Sequence, residues 1–242
     1  NDAGKFNISS SGKITFVEAP VFNSSKEFDI TINVSDSKTI VEKSLVVFID
    51  RTCSDELIGY EVCFAAEFTT GYDRSKYQEN ESNWDDWDLD CQNNRQEVLI
   101  AEHLSDQAQL TFRSNVNGPQ CLVDTGRWYD PFDDKYFTSY SQVQIDHFIP
   151  LAESDRSGAY LWTDRRKRLF GNDINIDEYL IAVGGASNSD KKDQDPSDWL
   201  PANTSYHCQY LNDWVKVKSI YKLAINATER SKIESEYASC ES

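Results

Sequence analysis

The chain has 242 residues, 39% hydrophobic and 27% charged, with 24 Lys and Arg against 41 Asp and Glu and a formal net charge of −17. That length predicts one or two domains, and the apolar fraction is enough for a packed core, which excludes wholesale disorder. The acidic balance lacks the basic footprint of most nucleic-acid binders, and the longest apolar run, Ser44 to Ile49, falls far short of the ~18 residues that span a bilayer. The chain contains no Met, so Asn1 is not expected to be a translational start, and further domains are expected upstream as partners. No signal peptide or membrane span is visible in the sequence.

In chain order, Phe28, Ile30, Ile32 and Val34 alternate with Asp29, Thr31 and Asn33, the period of a half-buried strand. Shorter β-rich runs flank it at Lys13–Glu18 and Thr39–Ile49. These runs, Gly4 to Phe16, Ile30 to Asp36 and Leu45 to Asp50, resemble the second half of a cadherin-type repeat, which implies an antiparallel partial sandwich over residues 1–50. In that family Glu18, Asp36 and Asp50 fall near calcium-ligand positions. A calcium shell needs 6–8 oxygens and half a repeat supplies few, so these carboxylates read as solvated strand ends.

Residues 51–83 lack periodicity and read as a linker or extension. Asp86, Asp88, Asp90 and Glu97 follow the ligand spacing of an EF-hand loop, but Cys91 stands where such a loop needs Gly, so a solvated acidic turn is expected. Val98, Ile100, Ala101 and Leu104 predict a helix within Asn93–Ser105, with His103 at its surface or cap. Short strands are expected at Leu110–Arg113 and Cys121–Asp124, a turn at Asp130–Asp134, and a strand at Gln142–Phe148. Thr163 to Phe170 carries a cap residue at its start and Gly171 at its end, the punctuation of a helix. Tyr179–Val183 reads as a strand. Tyr206, Tyr210, Leu211, Trp214, Val217 and Tyr221 recur at helical spacing within Thr204–Leu223, with Trp199, Trp214 and Tyr210 as core. A last helix, capped by Asn226 with Glu229 three residues on, presents Ile233, Tyr237 and Cys240.

The six cysteines form no CxxC, which disfavours zinc, and an even number fits a disulfide framework in an exported protein. Of the 15 possible pairings, spacing favours Cys53–Cys63. A break near Ala224–Asn226 between two antiparallel helices would bring Cys208 to Cys240, which leaves Cys91 for Cys121. The expected location is secreted, cell-surface or periplasmic.

The densest constellation begins at Gln144 to Glu153, where Asp146 and His147 end an apolar strand and Pro150 stops the ladder. One side chain can hold a hard cation, and the other can accept a proton near neutral pH. About forty residues on, Asn188 and Lys191 follow another apolar strand. Cys91 to Leu99, Cys121 to Pro131, Val143 to Leu151, Asn188 to Lys191 and Asp195 to Pro201 resemble, in order, a secreted branch of the HNH, or ββα-metal, nucleases. The resemblance implies an α+β fold over residues 84–242, a ββα-metal core with added helices and disulfides, and metal-dependent, non-specific endonucleolytic hydrolysis of DNA or RNA.

Carried over by position, His147 becomes the general base, Asp146 and Asn188 the protein ligands of one divalent ion, Mg first with Mn, Ca or Zn as alternatives, and Lys191 a positive charge near the phosphate. Arg165, Arg166, Lys167 and Arg168 are either phosphate-backbone contacts or a solvated helix face. Glu153 is either a support for the site or a helix-start carboxylate, His207 a packing or surface residue, and Asp193 and Asp195 loop carboxylates. The sequence departs from the family at Tyr179, where the family carries a central Asn that orients the His loop. The segment Asn172 to Glu178 also runs about three residues long by eye. Either Asn175 takes over the orienting role or the loop is held differently. Two other readings stand beside the enzyme: an extracellular adhesion module with a decayed nuclease core, and a calcium-stabilised structural segment.

Overall fold

The computed structural model describes residues 3–9, 13–18, 27–35, 40–68, 71–77, 84–114 and 120–240. The chain divides into two compact units, residues 1–52 with 161–163 and residues 53–160 with 164–242. In the first, β1 (Phe6–Ile8) pairs antiparallel with β2 (Ile14–Phe16), and β3 (Glu27–Ser35) pairs with β4 (Ile40–Phe48) over nine positions. The alternation read in β3 has its physical cause here: Phe28 and Ile30 are buried, and Phe6, Phe16 and Phe28 meet with ring centroids 4.4–5.7 Å apart. Glu18 and Asp50 are exposed, and Asp36 lies outside the described residues.

The second unit is mixed α+β with small sheets. Residues 55–64 form the hairpin of β5 (Asp55–Leu57) and β6 (Tyr60–Phe64), tied by the Cys53–Cys63 disulfide. α1 (Asn94–Ala101) follows, N-capped by Asn93, whose side chain accepts from the Gln96 backbone N–H. Then come β7 (Phe112–Arg113) with β8 (Leu122–Val123), and the hairpin of β9 (Thr125–Asp130) and β10 (Lys135–Ser139). His103, expected at a surface or cap, instead bridges two segments. Its Nδ1 accepts from the Arg127 backbone N–H, so Nε2 bears the proton and donates to the Ala108 carbonyl.

β11 (Val143–His147), α2 (Leu151–Arg156), α3 (Asp164–Gly171), β12 (Leu180–Gly184) and α4 (Gly185–Lys191) come next. β11 and β12 pair antiparallel, with Asp146 opposite Ile181 and His147 opposite Leu180, and α4 leaves β12 directly to complete a ββα unit. Buried Asp130 fixes this turn, accepting from the Gly184 backbone N–H at 2.9 Å and from the Ser187 hydroxyl. Only Gly fits at position 184, since a Cβ there would lie 2.6 Å from the Phe137 ring.

α5 (His207–Tyr221) packs on α6 (Ala227–Tyr237), and between them β13 (Ala224–Ile225) pairs parallel with β6. Asn226 and Glu229 form the reciprocal capping box that their spacing announced. Cys208–Cys240 and Cys91–Cys121 complete three disulfides. The core holds Trp128, Phe132, Phe148, Phe170, Tyr210 and Trp214, and no helix among the described residues is long and apolar enough to cross a membrane.

Candidate functional site

A cleft of about 550 Å³ opens over the ββα unit, bordered by Asp146 and His147 from β11, Asn188 from α4, and Arg74, Arg95 and Lys192. Three cations thus face two carboxylates, Asp146 and Asp193, and the local field is not that of the acidic whole. Charges more than ~10 Å away are largely screened at moderate salt.

His147 is 7% exposed and held on three sides. Trp84 stacks on its ring at 5.4 Å with planes 10° apart, and Tyr179 meets it edge-on at 5.9 Å. Its Nε2 lies 2.8 Å from the Gly171 carbonyl. A carbonyl can only accept, so Nε2 carries the proton and the neutral ring keeps its lone pair on Nδ1. Burial pushes the His147 pKa down to about 3; the charges of Arg74 and Lys191 add to this, while the Gly171 carbonyl opposes it. At neutral pH the ring is therefore uncharged and can accept a proton.

The Gly171 carbonyl is itself fixed by Asn172. The Asn172 amide donates to the carbonyls of Arg168 and Tyr77, and its Oδ1 accepts from the Asp85 backbone N–H. Asn175 does not take the orienting role, because it is exposed and turned onto Asp173. Tyr179, where the HNH resemblance places an Asn, contributes a fully buried ring, and its backbone carbonyl accepts from the Phe148 N–H. The sequence marks Gly171 only as a helix end and Asn172 only as the start of a long segment, not as supports of His147. A Cβ on Gly171 would sit 2.6 Å from the Tyr77 carbonyl oxygen. Gly171→Ala is therefore expected to displace the carbonyl that fixes the His147 tautomer. The ring nitrogen shifts of His147 by NMR test this, and an unchanged Nε2–H tautomer in the variant would refute it.

Asp146 is buried at 4% exposure. One of its oxygens, Oδ2, pairs with the Lys191 ammonium, while Oδ1 makes no hydrogen bond among the described residues. Lys191 therefore departs from its expected place near a phosphate. It is fully buried and also donates to the carbonyls of His147 and Phe148 at 3.0 Å, with its four-carbon stem turned inward. The residue that follows, Lys192, is one of the three cations at the cleft.

Asn188 is partly exposed, and its Nδ2 donates to Gln144 Oε1 at 2.9 Å, which leaves its own Oδ1 as an acceptor at the cleft. Two hard oxygen donors, one from β11 and one from α4, thus border one cavity, a donor set suited to Mg, Mn or Ca.

The basic helix α3 does not line this cleft. Arg168 grips Asp85 with two hydrogen bonds of 3.0 and 2.7 Å, Lys167 pairs with Asp155 at 2.9 Å, and Arg166 is buried; Arg165 is exposed but away from the cleft lining. Arg165, Arg166 and Arg168, expected as substrate contacts, are thus not among the residues that line this cleft. Glu153 is fully buried against Lys218 and Arg156 and does not face the cleft, and Asp193 pairs with Arg156. The carboxylates of Asp86, Asp88 and Asp90 lie within 4.8 Å of one another. Cys91 there takes φ 81°, the left-handed conformation for which an EF-hand loop uses Gly.

Residues 106–233 match the sequence pattern of a family described as GmrSD restriction endonucleases, C-terminal domain. An uncharacterized secreted protein of Arthroderma benhamiae is 39% identical over 120 residues, which span 50% of this chain and 58% of that relative. No solved structure matches.

Proposed function

The chain belongs to the family of GmrSD restriction endonuclease C-terminal domains, and from this premise we propose that it hydrolyses phosphodiester bonds of nucleic acid. The reaction is metal-dependent, HNH-type and endonucleolytic, with little sequence preference. One observation carries the reading: a neutral imidazole with its lone pair on Nδ1 shares a cleft with two unengaged hard oxygens, Asp146 Oδ1 and Asn188 Oδ1. His147 accepts the proton of the attacking water at Nδ1, while Nε2–H stays committed to Gly171. Asp146 and Asn188 would hold a divalent cation through their free oxygens. When bound, that ion supplies Lewis-acid neutralisation of charge on the scissile phosphate and leaving oxygen. Burial pushes the Asp146 pKa up and the Lys191 ammonium opposes this; Lys191, from behind, takes Oδ2 and leaves the other oxygen to the cleft.

The three disulfides and the relative named as secreted support an extracellular location. The adhesion reading is not favoured, because it gives no role to the His147 tautomer or to the cations of the cleft. Digestion of plasmid and RNA across Mg, Mn, Ca and Zn tests the proposal. Cleavage is expected with at least one ion and lost with EDTA. Asn188→Ala, a change at a partly exposed position that spares the core, is expected to lower the rate at least tenfold and to raise the metal concentration for half-maximal rate. Cleavage that persists in EDTA, or in Asn188→Ala with an unchanged metal dependence, would remove the metal from the reading.

A further inference from the structure

Cations in this unit are mostly matched to carboxylates: Arg168 to Asp85, Lys167 to Asp155, Lys191 to Asp146, and Lys218 to Glu153 and Glu229. Arg95, in the first turn of α1, departs from this pattern. Its Nη2 donates to the carbonyls of Tyr140 at 3.2 Å and Val143 at 3.0 Å, and it has no carboxylate partner among the described residues. Arg113 lies over the Tyr140 ring, with its guanidinium 4.2 Å from the centroid and its buried Nε unpartnered. Burial and the Arg113 charge both press the Arg95 pKa down, burial the more. Two like charges beside one tyrosine, in a chain of net charge −17, are disfavoured until an anion arrives.

That anion would come from the cleft, because Arg95 borders the same cavity as Gln144, Asn188, Asp146 and His147. The Val143 carbonyl that holds Arg95 is four residues before His147, a span of ~13 Å along a strand. Arg95 is thus anchored at the start of β11, and the imidazole stands at its end. We propose that Arg95, backed by Arg113, is a subsite for a non-scissile backbone phosphate of a nucleic-acid strand lying in the cleft. The inference rests on the nuclease reading for the path of the strand past His147. It makes the substrate a polynucleotide rather than a mononucleotide ester. The strand is gripped without reference to sequence, because a phosphate contact reads no base edge.

The test is fluorescence anisotropy of the full chain with labelled 20-nucleotide single strands of DNA and of RNA, in EDTA and at several salt concentrations. Arg95→Gln is expected to weaken binding about tenfold and to reduce the slope of log affinity against log salt by about one, the signature of one lost phosphate contact. Arg95→Lys, which keeps the charge, is expected to keep the slope. Binding of either strand type supports the subsite, and the two arms identify which backbone it takes. No binding by the wild-type chain, or an unchanged slope in a folded Arg95→Gln, would overturn it. So would an equal slope change in Lys232→Gln on α6, which would mean that the slope reads total charge. Because EDTA removes hydrolysis from the readout, failure of the subsite and failure of the nuclease reading appear in separate experiments.

Discussion

His147→Ala is expected to lower the cleavage rate by about 10²–10⁴-fold on every substrate the wild-type chain cuts, the range over which a general base acts. The loss should be in turnover, because the imidazole grips no part of the substrate that other groups do not also hold. The same residue has a second, independent signature in the protein without metal. Its folded pKa is about 3, against an unfolded value near ~6.5, so between these limits the unfolded chain binds the extra proton. Stability from this group is therefore fully present above about pH 6.5 and is lost progressively as pH falls toward about 3. Between pH 7 and pH 5 the wild-type chain should lose about 1–2 kcal/mol that His147→Ala does not lose. Urea titrations in EDTA at the two pH values measure the difference. Parallel pH dependence in both chains would show the ring to be solvated, and the tautomer argument would fall with it. Bound phosphate raises the His147 pKa by its negative charge, so the acid limb of kcat is expected at higher pH than that of kcat/KM.

Much of this arrangement could be read from residues, and what could not has a common cause. The period of two in β3, the Asn226–Glu229 box, the Asp146–His147 strand end and the Cys53–Cys63 pair are local, and they stand in the structure as their spacing required; Cys208–Cys240 followed from the helix break, and Cys91–Cys121 was what it left. Lys191 shows where such reading stops. Its distance from Asn188 places it near the site, but spacing does not say which way a flexible stem turns. The buried Asp146 decides that, because an ionised carboxylate out of water needs a partner. Arg95 was hidden for a related reason: its partners are backbone carbonyls of Tyr140 and Val143, 45 and 48 positions away, and carbonyls leave no mark in sequence. The roles of Gly171 and Asn172 were hidden likewise, because Gly171 acts through its carbonyl and the Asn172 amide binds backbone groups of Arg168, Tyr77 and Asp85.

Lys218→Met is expected to be the most destabilising single change in the scaffold behind the cleft. The Lys218 ammonium meets Glu153 and Glu229, each at 2.7 Å, and all three side chains are 0% exposed. It also donates to the Ser157 hydroxyl and the Ala224 carbonyl at 3.0 Å. Glu153 has a second cation in Arg156, which in turn holds Asp193 at the cleft edge. The cluster therefore bolts α2, the helix that begins four residues after His147, to α5 and α6. Removing one partner of a buried pair costs about 3–5 kcal/mol, because it leaves charge stranded out of water. The sign with pH separates this from lost packing. In the wild-type chain burial already pushes the Glu229 pKa up, opposed by Lys218. Without Lys218 it rises further, so the stability of the variant is highest below the unfolded value near ~4.3 and is lost as pH rises through the folded one. The gap between variant and wild type should therefore be small near pH 5 and largest near pH 8. Glu229→Gln in the Lys218→Met background removes the stranded charge but keeps an acceptor near the Trp214 indole N–H, which Glu229 binds, and should restore about half of the loss at pH 8. A deficit that is flat with pH, with no rescue by Glu229→Gln, would assign the effect to the shape of the lysine rather than to its charge.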